Sequence, residues 1–145
     1  MLGKLARWLR ALGFDAVFFQ SIEDDELLRL SQREGRVLLT RDTDLCARAG
    51  EGDVLFIDSQ DWHSQVRQVL DAFGLRGRAA PCTRCLECNA LLKPIPRSEA
   101  RNLVTPFVYE TASGFSLCPG CTRIFWRGTH QNGIEEKIAD ILRKR

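Results

Sequence analysis

Two C-x-x-C pairs, Cys85-Leu-Glu-Cys88 and Cys118-Pro-Gly-Cys121, constrain this chain more than any other feature of it. A pair spaced by two residues can place both sulfurs about 2.3 Å from one cation, and two pairs complete the tetrahedron of a structural Zn²⁺. The 29 residues between the pairs exceed the commonest finger spacing, so the intervening chain must return on itself, as a β-hairpin does. Whether paired cysteines mean metal or disulfide depends on the compartment. No apolar run among the 145 residues approaches the ~20 needed to cross a bilayer. The start, Met1-Leu2-Gly3-Lys4, is too broken by charge for a secretory signal. The reading is therefore a cytoplasmic, reducing setting with no membrane association. There, such pairs bind metal or do redox work more often than they form disulfides.

Cys82-Thr-Arg-Cys85 is also a C-x-x-C pair, so the choice of ligands needs turn chemistry. The turn of a zinc knuckle tends to require a residue tolerant of positive φ just after its second cysteine. Asn89 follows Cys88 and accepts that conformation, whereas Leu86, after Cys85, does not. This selects Cys85, Cys88, Cys118 and Cys121 and leaves Cys82 outside the set. Cys46 reads as a packed thiol. His130 could replace a sulfur, although a surface or packing role is commoner for such a residue.

The first half of the chain has a different rhythm. Leu2, Leu5, Leu9 and Leu12 recur on one helical face, with Gly13 placed to end the helix. Asp15–Phe19 reads as a short buried strand. Asp24 or Asp25 can cap a helix over Glu26–Glu34 that Gly35 ends. Arg36–Thr40 and Asp53–Ile57 read as strands, with a short helix through Cys46 and Arg48 between them. A helix with Val66, Val69, Leu70 and Phe73 on its inner side follows, stopped by Gly74. Strands apolar throughout, alternating with amphipathic helices, imply an α/β layer with a parallel sheet covered on both faces. Leu75–Pro81 is linker-like, which divides the chain into an α/β domain over 1–80 and a ribbon with a C-terminal helix over 81–145. In the ribbon, Val104–Tyr109 and Phe115–Leu117 suggest a hairpin and Arg123–Arg127 a third strand. Ile134, Ile138, Ile141 and Leu142 stripe the final helix.

Charge follows this division. Residues 1–80 carry 11 Lys/Arg against 13 Asp/Glu, and residues 81–145 carry 10 against 6. An acidic-leaning part followed by a basic one fits a metal-using site beside a polyanion-binding module. Asp42 and Asp44 lie just past the C-terminal end of a predicted parallel strand, where open α/β sheets place their ligands. Asp24 and Asp25 begin a helix that can reach the same edge. Carboxylates grouped there would bind Mg²⁺ or Mn²⁺ and direct hydroxide at phosphorus. Lys4, Arg7, Arg10 and Arg41 could hold the phosphates of a substrate, or could form a solvated face.

Several segments, taken in order, carry a family resemblance. They are Leu2-Gly-Lys-Leu-Ala-Arg-Trp-Leu-Arg10, Asp24-Asp-Glu-Leu-Leu28, Leu39-Thr-Arg-Asp-Thr-Asp-Leu45, Cys85-x-x-Cys-Asn89, Cys118-Pro-Gly-Cys121 and Phe125-Trp-Arg-Gly-Thr-His130. Together they resemble the mutator-seven C-terminal RNase-domain family, a PIN-like domain followed by a zinc ribbon, over nearly the whole chain. The resemblance implies an RNA substrate, a Mg²⁺- or Mn²⁺-dependent site at Asp42 and Asp44 with Asp24 or Asp25, and the four named cysteines as Zn²⁺ ligands. Thr122 stands where such knuckles usually have Gly. Family members also resemble this chain only after a short first strand ending in Asp, upstream of the segment matching Met1-Leu2-Gly3. The expectation is a sheet lacking that strand and a metal site one carboxylate short. The strand would come from upstream, or from a partner or second copy of the chain; otherwise catalysis would be impaired.

The function expected is thus a metal-dependent ribonuclease of the PIN-like type. The alternative is a non-catalytic nucleic-acid- or ribonucleoprotein-binding module working through the ribbon and Arg123, Arg127, Arg143, Lys144 and Arg145. A thiol redox role is disfavoured because both C-x-x-C pairs lie outside the βαβ region.

Overall fold

The alternation of apolar strands and amphipathic helices folds as the sequence pattern requires in most places. The computed structural model describes residues 2–50, 53–127 and 129–143, with side chains for all of these except 129–132. His130, Lys144 and Arg145 therefore fall outside the described side chains. The chain forms two compact units, one of Met1–Ala6 with Val17–Gly77 and one of Arg7–Ala16 with Arg78–Arg145. Helix α1 (Gly3–Ala11) contributes its first turn to one unit and the rest to the other.

In the first unit, α2 (Asp24–Glu34) precedes β1 (Leu38–Thr40), α3 (Thr43–Ala49), β2 (Val54–Phe56) and α4 (Trp62–Phe73). Strands β1 and β2 pair in parallel, Leu38 opposite Val54 and Thr40 opposite Phe56, with α3 as the crossover. Leu38, Leu45 and Ala49 bury one cluster, against which Leu27, Leu28 and Val54 pack. Ile57, Val66, Val69 and Leu70 are also buried. Phe73, expected on the inner side of α4, is instead 41% exposed in the helix's last turn.

Two further expectations fail, each for a physical reason. Asp24 and Asp25 do not cap α2. The N-cap is Glu23, which makes no side-chain capping bond, and both aspartates sit in the first turn, where negative charge favours the helix dipole. Asp15–Phe19 is not a strand. A strand needs a ladder, and the backbone of Ala16 is bonded to side chains instead: Arg10 Nε donates to its carbonyl and its N–H donates to Asn89 Oδ1. Val17, Phe18 and Phe19 stay 38–42% exposed.

The second unit holds β3 (Lys93–Ile95), α5 (Arg97–Ala100), α6 (Pro106–Thr111), β4 (Phe115–Leu117), β5 (Ile124–Trp126) and α7 (Thr129–Arg143). The strands form an antiparallel sheet in the order β3-β4-β5. The hairpin is thus Phe115–Leu117 with Ile124–Trp126, joined through the second cysteine pair. The expected strand at Val104–Tyr109 is wrong, because Pro106 starts a helix there. Thr105 caps it, its hydroxyl accepting from the N–H of Val108, and a proline at the first helical position sacrifices no bond. Strand β3 was unforeseen, since Pro94 sits inside it. An edge strand tolerates that loss of a donor. Ala100, Ala112 and Phe115 make the unit's core with Ile95, Val104, Val108, Tyr109 and Ile124. Arg97 clamps α6, its guanidinium 4.4 Å from the Tyr109 ring centroid and donating to the carbonyls of Ala112 and Tyr109.

Gly13 is the tightest of the described glycines. Its φ is +96°, and a Cβ there would lie 2.3 Å from the Ala80 carbonyl oxygen. Gly35 also has positive φ, but nothing lies within 4 Å of its Cβ position. Gly13→Ala should therefore cost well over the ~1–2 kcal/mol of left-handed backbone strain alone, and Gly35→Ala no more than that strain. Urea-unfolding midpoints of the two variants check this. Equal losses would mean that Ala80 moves aside freely.

Candidate metal centre

Each cysteine pair sits on a tight turn built by the same two backbone bonds. In the first knuckle the N–H of Cys85 donates to the Ala90 carbonyl (2.8 Å) and that of Asn89 to the Cys85 carbonyl (2.9 Å). In the second, the N–H of Cys118 donates to Arg123 (2.9 Å) and that of Thr122 to Cys118 (2.8 Å). Asn89 and Thr122, each following the second cysteine of its pair, have φ of 76° and 63°. Turn chemistry had picked Asn89 for this reason. Thr122, β-branched, takes the same conformation at a greater steric cost.

The two knuckles bring four sulfurs to one point. Sγ of Cys85 lies 3.6 Å from that of Cys121, and Sγ of Cys88 lies 3.3 Å from that of Cys118. All four lie within 4.8 Å of one another. A disulfide needs about 2.05 Å, whereas Zn–S bonds of about 2.3 Å at tetrahedral angles put sulfurs about 3.8 Å apart. The spacing and the all-sulfur donor set fit a structural Zn²⁺. Cys85 and Cys118 are fully buried, Cys121 is partly exposed and Cys88 is at the surface. Gly120 leaves room for this, since a Cβ there would sit 3.2 Å from Cys88 Sγ.

The protein already biases these sulfurs. Burial pushes the Cys85 thiol up to about 12, so without a cation it stays protonated at neutral pH. The backbone N–H of Arg123 holds Cys121 down at about 6, helped by the Arg123 guanidinium 3.6 Å from its sulfur. A bound cation has to supply the stabilisation that the buried sulfurs lack.

The basic residues on α1 expected to bind phosphate are occupied within the fold. Arg7 pairs with Glu87 at 2.5 Å and holds that carboxyl below its usual range. Arg10, only 9% exposed, donates to the carbonyls of Ala16 and Leu86, so it braces the first knuckle. Asn89 donates to Asp15, and Arg84 to the carbonyls of Gly13 and Asn89. In the first unit, the Lys4 ammonium lies 5.4 Å from the Trp62 ring centroid. Arg41 donates to the carbonyls of Ile57 and Asp58, tying together the C-terminal ends of β1 and β2.

The carboxylates are placed as follows. Asp42 is the N-cap of α3, its Oδ1 accepting from the N–H groups of Asp44 and Leu45. Asp44 is in the first turn of that helix. Asp25 and Asp24 are both paired with Arg48 of α3, Asp24 at 3.9 Å. Among the described residues, the four cysteines are the group of three or more ligand side chains whose donor atoms converge within 4.8 Å. Asp24, Asp25, Asp42 and Asp44 do not form such a group. The bracing role of Arg10 and Arg84 was missed, and a side chain reaching a backbone carbonyl 71 to 76 residues away leaves no local signal.

A family model described as the Mut7-C RNAse domain matches residues 1–138. No curated protein and no solved structure matches the chain. No helix among the described residues is long and apolar enough to cross a membrane.

Two substitutions follow from the knuckles. Cys85→Ser should abolish stoichiometric zinc and unfold the ribbon, while Cys82→Ser, outside the sulfur cluster, should retain the metal; zinc content by mass spectrometry of the metal separates them. Thr122→Asn relieves left-handed strain at a β-branched residue and should stabilise by about 1 kcal/mol. A raised chelator concentration at half-unfolding would show it.

Proposed function

The chain belongs to the Mut7-C RNAse domain family, and on that premise we propose that it is a divalent-metal-dependent ribonuclease of the PIN-like type, with a zinc ribbon that supports folding and RNA binding. The match of the family model over 1–138 carries this reading. The position of Asp42 supports it. This aspartate follows β1 at the C-terminal edge of a parallel sheet, where α/β folds place ligands. Both of its capping bonds go to Oδ1, so Oδ2 can face a ligand without the helix losing its cap. Asp44, two residues further in the first turn of α3, is the companion carboxylate.

Mg²⁺ is commonly held by only one or two carboxylates together with waters and substrate phosphates, so Asp42 and Asp44 can suffice without a complete protein cage. When bound, such an ion would polarise the scissile phosphate and lower the pKa of attacking water. The chain's own groups position and neutralise. Arg41 fixes the ends of β1 and β2 and so the loop that carries Asp42. Asp24 or Asp25 would join only by leaving Arg48. The ribbon's four cysteines would hold Zn²⁺ as a structural ion, a closed sulfur site with no open position for chemistry.

The second reading, a binding module without turnover, is favoured by the charge of the ribbon unit. Arg7–Ala16 with Arg78–Arg145 carry 13 Lys/Arg against 7 Asp/Glu, a balance of +6, while the remaining residues carry 8 against 12, a balance of −4.

Asp42→Asn tests the two. Asparagine keeps the capping oxygen and removes the charge, so helix stability should hold while cleavage of single-stranded RNA with Mn²⁺ falls at least about 100-fold. Equal turnover by both forms discards the catalytic assignment. Salt-sensitive RNA binding without turnover would then favour the binding module.

A further inference from the structure

The ribbon unit contains a cavity of about 180 Å³ lined by Phe125 and Trp126 of β5 and by Cys82, Arg84 and Leu86 beside the first knuckle. Arg127, exposed at the end of β5, stands at the same cavity. The volume is well above the ~30 Å³ of a water and below the roughly 300 Å³ at which pockets begin to take drug-sized ligands. It suits one planar ring. The wall is both aromatic and cationic: Trp126 is 38% exposed, and among the described residues no acidic side chain lines the cavity.

Arg84 is fixed in the wall. Its Nε donates to Gly13 at 3.1 Å and its Nη1 to Asn89 at 2.8 Å, which holds the guanidinium plane still. A guanidinium plane held in this way is a stacking surface for a base, as an indole face is. Arg127 N–H is spent on the Gly114 carbonyl at 3.2 Å, and this backbone bond anchors the strand end from which its side chain extends. The balance of +6 over the unit adds attraction for a phosphate chain.

We propose that this cavity takes one unstacked nucleobase of single-stranded RNA, stacked against Trp126 and bordered by the Arg84 guanidinium, with the flanking phosphate drawn to Arg127. The proposal rests on the reading of RNA as the ligand, and it requires no cleavage. The base would dock on the ribbon unit, which would give that unit a recognition role besides folding. Cys82 in the wall supplies an independent probe, because a seated base would shield its thiol.

The test uses the zinc-loaded full chain carrying Asp42→Asn and a fluorescent single-stranded RNA. Trp126→Ala should weaken binding about 5- to 150-fold, the range that loss of one stacked base produces, with zinc content unchanged. RNA made of abasic nucleotides should bind the Trp126-containing protein as weakly as it binds the Trp126→Ala variant. In a second measurement that needs no cavity variant, RNA should slow alkylation of Cys82, read by peptide mass spectrometry, while abasic RNA should not. Unchanged affinity in zinc-loaded Trp126→Ala overturns the proposal. So does equal binding of abasic and ordinary RNA by the Trp126-containing protein, which would leave the cavity to an apolar side chain of a protein partner. Should the alanine variant lose its zinc, the Cys82 shielding decides alone, and absence of shielding overturns the proposal. Failure of the unsubstituted chain to cleave RNA, with base-dependent binding intact, would discard the nuclease and leave this site standing.

Discussion

Four sulfurs within 4.8 Å of one another are a configuration that a polypeptide reaches only with help. As thiolates they repel, and as thiols two of them are buried with poor hydrogen-bonding capacity. The fold manages this in two ways. It presents the sulfurs on two turns of matching hydrogen-bond pattern, each requiring a positive φ after its second cysteine. It also aims N–H groups at the sulfurs, with Cys121 N–H 3.4 Å from Cys118 Sγ and the Arg123 guanidinium at Cys121. What remains is a site short of positive charge, which a cation completes. The small sheet and helices around it have a modest core of their own, so a cation bound by these sulfurs would add directly to the folding energy of this unit.

The first knuckle also explains why Arg7–Ala16 belongs with the ribbon. Arg10 reaches Leu86, Arg84 reaches Gly13, and Asn89 bonds both Asp15 and Ala16. Asn89 thus does two jobs at once: its backbone accepts the left-handed turn of the zinc knuckle, and its side chain ties down the segment after α1. Moving Arg7, Arg10, Asp15 and Arg78 into the ribbon unit changes the charge picture from a mild asymmetry to −4 against +6. Yet Arg7 and Arg10 are used internally. Attraction for a polyanion must therefore come from the other cations of the unit, Lys93 and Arg127 of the sheet region among them, both exposed.

Features governed by local rules were readable in the sequence. The leucine spacing gave α1, the apolar runs gave β1 and β2, and the glycines at 13, 35 and 74 marked helix ends. The four-sulfur cluster was readable because one dihedral preference, at Asn89 against Leu86, separates the two overlapping pairs Cys82/Cys85 and Cys85/Cys88. What escaped the reading depended on partners distant in sequence or on competing local signals. Val17, Phe18 and Phe19 have β-propensity, but Ala16 gives its backbone bonds to Arg10 and Asn89 and no ladder forms. Val104–Tyr109 looked like a strand by composition. The Thr105-Pro106 start signal outweighs that composition, because a capping hydroxyl and a preset φ act at the point of helix nucleation.

The aspartates show how one residue type serves two physical ends. A carboxylate at a helix start is favoured by the dipole and by unsatisfied N–H groups, and Asp42 meets that need through Oδ1. A carboxylate facing an arginine is favoured by charge, and Asp24 and Asp25 meet that need through Arg48. Both explain the residues without any ion. They differ, however, in what they leave over. The Arg48 pairing engages the charge that a cation would require, whereas capping engages one oxygen and leaves the net charge of Asp42 in place. On the proposed nuclease reading, a divalent ion would meet at Asp42 a ligand with no ion pair among the described residues, and would have to displace Arg48 at Asp24 and Asp25. The order in which these groups could engage an ion follows from that difference, with Asp42 first.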